Sequence, residues 1–192
     1  MARETPAARD RMVYSAAQLV RERGVTATGI RDVVERAAAP RGSFQHYFPG
    51  GKDQLVSEAL LWSGDFAARW VAEYAGTTPS GLFAHLAAPW ERELAAREFQ
   101  RGCPVMAAAA DACAGDSALT GPIRAALDRW EDAIVAALGR LGVPAGADRR
   151  LATLMLSTLE GAILLARVRR DVRPLGTVVA DLGPLLDAAV RA

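Results

Sequence analysis

The chain has 192 residues, 51% of them hydrophobic and 23% charged, with a net charge of +1. That length is enough to bury a substantial core, the charged start "MARETPAARDRM" lacks the apolar run of a secretory signal, and no stretch of about 18 uncharged apolar residues reads as a membrane span. The expectation is a cytoplasmic protein with no membrane partner; Cys103 and Cys113, without CxxC spacing or clustered histidines, read as buried thiols, with no metal site, cofactor or disulfide framework.

In chain order the periodicity is helical almost throughout. From Pro6 to Arg23, Met12, Val13, Ala16, Ala17 and Val20 recur at helical spacing, and Gly24 offers a stop. A short second helix follows Thr28 or Gly29, with Ile30, Val33, Val34 and Ala37 inward and Arg31, Asp32, Glu35 and Arg36 outward. "AAP" breaks it, because Pro40 disfavours helical geometry at Ala39 yet suits the first turn of a third helix over about 41–48. "PGG" ends that helix, and 52–74 reads as a long one with a stripe of Leu55, Ala59, Trp62, Phe66, Trp70 and Tyr74. Breaks at "GTTPSG", "QRGCP", "AGDSALTGP", "GVPAGAD" and "RPLG" leave helices near 80–98, 104–114, 121–141, 147–170 and 174–191. The fold class is all α, about nine helices, with residues 1–52 as one domain and 53–192 as another.

Two short helices three or four residues apart, braced by a helix on each side, make a helix-turn-helix unit. A helix that enters a DNA groove must be short and polar outside, anchored by a few apolar residues; Phe44 and Phe48 suit the anchor, and Arg41, Ser43, Gln45, His46 and Tyr47 remain outward. Charge agrees in sign: residues 1–52 carry nine Arg or Lys against five Asp or Glu, while the remainder carries fourteen against seventeen. A helical hairpin inside an ordinary bundle explains the same pattern.

The run "GVTATGIRDVVERAAAPRGSFQHYFPGGKDQLV" resembles the N-terminal domain of TetR-type transcriptional repressors, and "PGGKDQLV", "RGCPVMAAAADA" and "EGAILLARVRRD" resemble the LmrA/YxaF branch. The resemblance implies a double-stranded DNA partner met by Arg41, Ser43, Gln45, His46 and Tyr47, with Thr28, Arg31 and Lys52 on phosphates. Two positions depart from the family pattern. Val34 stands where alanine is usual, and Gln45 stands where tyrosine is frequent, so a different base preference is expected because glutamine can pair with adenine N6 and N7.

In the remainder, "RLATLMLSTLEGAILLAR" holds a single acidic residue, Glu160, and the last helix carries a second apolar face. Two such helices suggest an intersubunit four-helix bundle, with Leu154, Leu164, Val178, Leu182 and Leu186 at a homodimer interface; the resemblance implies the same. Trp62, Phe66, Trp70, Trp90, Met106, Trp130 and Met155 could line an apolar cavity, with His85, Gln100, Asp111, Thr153 or Glu160 as polar contacts, although ordinary core is the simpler reading of each residue. The cavity itself is implied by the resemblance. Together these readings give a ligand-responsive repressor that binds a near-palindromic operator as a homodimer and is released by a small, mostly apolar or aromatic effector. A helical protein-binding adaptor without DNA binding is the alternative; an enzyme is a weaker one, because no GxSxG, HExxH, P-loop or GxGxxG pattern occurs and neither histidine has a spaced partner.

Overall fold

The structure is a computed structural model that describes residues 7–112 and 118–190. Among those residues the chain forms nine α-helices and no strand: α1 (Ala8–Arg23), α2 (Ile30–Arg36), α3 (Ser43–Tyr47), α4 (Gly51–Ala72), α5 (Pro79–Ala96), α6 (Pro104–Ala112), α7 (Thr120–Arg140), α8 (Ala147–Arg169) and α9 (Arg173–Ala188). Cys103 is buried; Cys113 lies outside the described residues.

Two compact units emerge, one of Met1–Gly64 with Pro104–Ala126, the other of Asp65–Cys103 with Leu127–Ala192. The division therefore passes through α4 at Gly64 and returns α6 to the N-terminal unit, so contact does not follow the chain-order division at residue 52.

The first unit is built on the apolar stripes of α1 and α2. Met12, Ala16, Val33, Val34, Phe44, Phe48, Leu55 and Ala59 form one buried cluster, in which the Phe44 and Phe48 rings lie 5.4 Å apart. Phe48 ends α3 with a non-helical backbone, and the α2–α3 turn places Ala38 at φ 47°, a left-handed conformation costly for a residue with a Cβ. Arg11 of α1 holds that turn by donating to Ala37 O at 2.9 Å and Ala38 O at 3.3 Å. The third helix starts at Ser43, later than its sequence suggests, because Pro40–Ser43 closes as a turn in which Ser43 N–H and hydroxyl both donate to Pro40 O.

In the second unit α5 and α9 pack together and α8 packs on both. Thr78 caps α5 by accepting from Gly81 N–H, with Pro79 at the first turn. Asp187 of α9 places its carboxylate at the same helix start, accepting from Ser80 N–H at 2.9 Å and the Ser80 hydroxyl at 2.7 Å. The α8 helix is long and apolar enough by composition to cross a membrane. In the fold it buries Leu151, Met155, Leu159, Ala162, Ile163 and Ala166 inside the protein and leaves Leu154, Leu164, Leu165 and Val168 exposed.

Candidate nucleic-acid interface and effector core

The candidate reading head is the α2–α3 pair. Its polar positions divide into residues held by the fold and residues left open. Arg36 pairs with both carboxylate oxygens of Glu22 at 2.8 Å, and Arg23 pairs with Asp32, so these cations brace α1 against α2. Arg31 and Arg41 are exposed and, among the described residues, engage in no ion pair or hydrogen bond. Gln45 and His46 are exposed on α3; Gln45 makes only a 3.5 Å contact to Pro49 O, and His46 lies edge-on to the half-buried Tyr47 ring at 5.2 Å. Ser43, half-buried, has its proton committed to Pro40 O but keeps lone pairs to accept. Lys52, in the first turn of α4, donates to Thr26 O at 3.4 Å and has two further N–H groups.

Thr28 is placed differently from expectation. It is 2% exposed, its hydroxyl donates to Gly24 O at 2.7 Å, and its N–H bonds Val25 O, so the side chain holds the α1–α2 loop and does not face outward. Gly29 caps α2 without a side chain.

The aromatic stripe of α4 is divided among three surroundings. Leu55 and Ala59 belong to the cluster of the first unit, and Trp62 packs on it edge-to-face with Tyr14, ring centroids 5.5 Å apart. Phe66 is 53% exposed, so it lines no buried cavity here. Trp70 stacks on His85 of α5 at 4.4 Å and 7°. Its ring N–H donates to His85 O at 3.1 Å, and His85 Nε2 lies 2.9 Å from Trp70 O. Both acceptors are otherwise orphaned carbonyls: Pro89 has no N–H to offer His85 O, and Trp70 is in the last turn of α4. The Trp70–His85 pair therefore satisfies two helices at once, a reason for both residues independent of any ligand.

Two of the polar residues expected around a cavity are engaged elsewhere. Asp111 accepts from Val25 and Thr26 N–H, and the Thr153 hydroxyl, with one proton to give, lies within hydrogen-bond reach of Glu131 and of Arg149 O. Gln100 is exposed between α5 and α6, where its backbone carbonyl accepts from Arg167.

Unsatisfied chemistry is found on α7 and α8. Trp130 is 6% exposed, and its ring N–H has no partner; Glu160 likewise keeps its Oε1 shielded and unpartnered. Burial pushes the Glu160 carboxyl from its ordinary value near 4.5 up to about 7, against the opposing pull of a hydrogen bond with Cys103. Met155 on α8 is fully buried, whereas Trp90 on α5 and Met106 on α6 are half-buried. The α7 and α8 helices are tied by Arg149, which meets Asp132 at 2.7 Å and Glu131 at 3.5 Å. Among the described residues no group of three His, Cys, Asp or Glu side chains is placed to hold a metal ion.

On the outer face of α8 and α9, Leu154 is 40% and Leu164 59% exposed, joined by Leu165, Val168 and Leu185. Val178 and Leu182 are half-buried. Leu186 is fully buried within its own chain, which removes it from any intersubunit face; its neighbour Leu185 points outward instead.

Residues 14–59 match the family described as bacterial regulatory proteins, tetR family, and residues 79–181 match the transcriptional regulator LmrA/YxaF-like C-terminal domain. An uncharacterized HTH-type transcriptional regulator of Mycobacterium tuberculosis is 43% identical over 185 residues, 93% of each chain. The HTH-type transcriptional regulator LmrA of Bacillus subtilis is 25% identical over 180 residues, 93% of this chain and 96% of that one. Among solved structures, a TetR transcriptional regulator from Legionella pneumophila superposes with a TM-score of 0.80 at 17% identity, covering 96% of this chain and all of that one.

Proposed function

From one fact, that the chain belongs to the TetR family of bacterial transcriptional regulators with an LmrA/YxaF-like C-terminal domain, we infer that it is a ligand-responsive repressor. The family is one of regulators, not of enzymes. The observation that carries the finer reading is the contrast within the first unit: Arg11, Arg23 and Arg36 are spent on the fold, whereas Arg31, Arg41 and the tip of Lys52 are left to phosphates beside an exposed Gln45 and His46. Phosphate contacts fix register, and side chains on α3 read base edges.

A homodimer on the exposed α8–α9 face presents two such heads to a near-palindromic site. An apolar or aromatic effector binds in the second unit, among the residues of α7 and α8: the ring N–H of Trp130 and the Oε1 of Glu160 are each buried without a partner, and a polar group on an effector supplies one. Exposed Phe66 and engaged Trp70 support their ligand roles less. Cytoplasmic location follows from the proposed DNA partner. The test is binding to a duplex from the chain's own promoter region across a salt series. Affinity should fall steeply with salt as counterions are released, and Lys52→Ala should weaken operator and scrambled duplexes alike; indifference to salt would contradict the reading.

A further inference from the structure

The α1–α2 loop, which delivers the chain to the reading head, is held from two sides. Asp111, in the last turn of α6, accepts from two successive backbone N–H groups with one oxygen: Val25 N at 2.8 Å and Thr26 N at 3.0 Å. Lys52 of α4 donates to the carbonyl of the same Thr26. Gly24 makes the approach feasible. Its φ of 81° and ψ of 173° are open essentially to glycine alone, and a Cβ there would meet Asp111 Oδ2 at 3.1 Å. Thr28 closes the loop on itself through Gly24 O and Val25 O, so the polar backbone between α1 and α2 is anchored largely by this one carboxylate, Lys52 and Thr28.

The position of Asp111 argues against a role in its own helix. A carboxylate in the last turn faces the negative end of the helix dipole, where it opposes helix formation. Exposed beside a DNA-facing unit, it also adds repulsion for phosphates. Both costs are offset only by what the side chain holds, which is a loop 85 and 86 residues away in sequence. The α6 helix shares a compact unit with α1, α2 and α3, so the contact is internal to that unit.

We propose that Asp111 is a positioning residue for operator binding: it holds Val25 and Thr26 so that α2 and Lys52 keep their DNA-competent register. This rests on the repressor reading above and adds a residue, outside the reading head, on which operator affinity depends. Loss of the carboxylate frees two amides and loosens the start of α2, and operator affinity falls with no change in any residue that touches DNA.

The sign of the effect separates this role from simple electrostatics. Removing a carboxylate near DNA strengthens binding if charge alone matters, whereas loss of the clamp weakens it. The experiment titrates wild type, Asp111→Asn and Asp111→Ala with a promoter-region duplex well below their melting temperatures, and follows amide exchange at Val25 and Thr26 by NMR. Expected are protected amides in wild type, loss of protection in Asp111→Ala with roughly tenfold weaker operator binding at an unchanged salt slope, and an intermediate Asp111→Asn, which keeps one acceptor oxygen. Equal or tighter binding by Asp111→Ala, or lost protection with unchanged affinity, overturns the proposal. Failure of the wild type to bind any promoter duplex contradicts the repressor reading and this proposal with it, an outcome distinct from a wild type that binds and a variant that binds equally.

Discussion

Glu160 is a residue whose ionisation works against the fold. With its folded pKa near 7 and its unfolded value near 4.5, the folded state keeps a proton that the unfolded state has released over that interval. Stability from this group is therefore lost as pH rises from about 4.5 to 7, and the deficit stays constant above that. Glu160→Gln removes the ionisation while keeping the shape, so the variant should gain on wild type with pH, by about 1–3 kcal/mol between pH 5 and pH 8. Thermal melts of both proteins at the two pH values check this; a gap independent of pH contradicts it. At this scale the sequence was informative about Glu160, the one acidic residue in an apolar run, and about Gln45, an outward polar residue on a short helix. It carried no sign of the partners of Thr28, Asp111 and His85, expected on a phosphate and around a cavity. Each is a small or polar side chain whose role is set by a backbone partner, and in Asp111 and His85 that partner comes from an element distant in sequence, the α1–α2 loop and α4, which periodicity does not encode.

Where α4 crosses α7, the packing depends on the absence of a side chain. A Cβ on Gly64 would lie 2.8 Å from both Cα and O of Ala126, backbone atoms that cannot rotate away. Gly64→Ala gains about 1 kcal/mol of helix propensity but must push two helices apart, at a typical overpacking cost of 1–3 kcal/mol. A net loss of stability by about 1 kcal/mol is expected in urea unfolding, and a more stable variant would show that the crossing yields. The helices themselves were legible from apolar spacing, with ends set by Gly24, the Pro40 turn and Pro79. Which face of each helix meets which neighbour was not. Leu185 and Leu186 both read as apolar face on α9, yet adjacent residues lie about 100° apart on a helix; Leu186 is buried and Leu185 exposed. The α4 stripe similarly looked continuous, but its members serve the first unit, solvent and α5 in turn.

At the scale of the whole molecule, the exposed apolar residues of α8 and α9 are the feature a single chain does not explain. If they are the homodimer face, Leu164→Asp should give a monomer in sedimentation at micromolar concentration and abolish operator binding with it, since one head meets only one half-site. A dimeric Leu164→Asp would place the interface elsewhere. The central claim is that α3 reads a specific DNA sequence, and it is tested most directly by fluorescence anisotropy of wild type and Gln45→Ala on the operator duplex and on its scrambled counterpart at one fixed salt concentration. The account predicts strong preference by the wild type and a preference reduced by about 1–3 kcal/mol in Gln45→Ala. Equal affinity of the wild type for the two duplexes would contradict it.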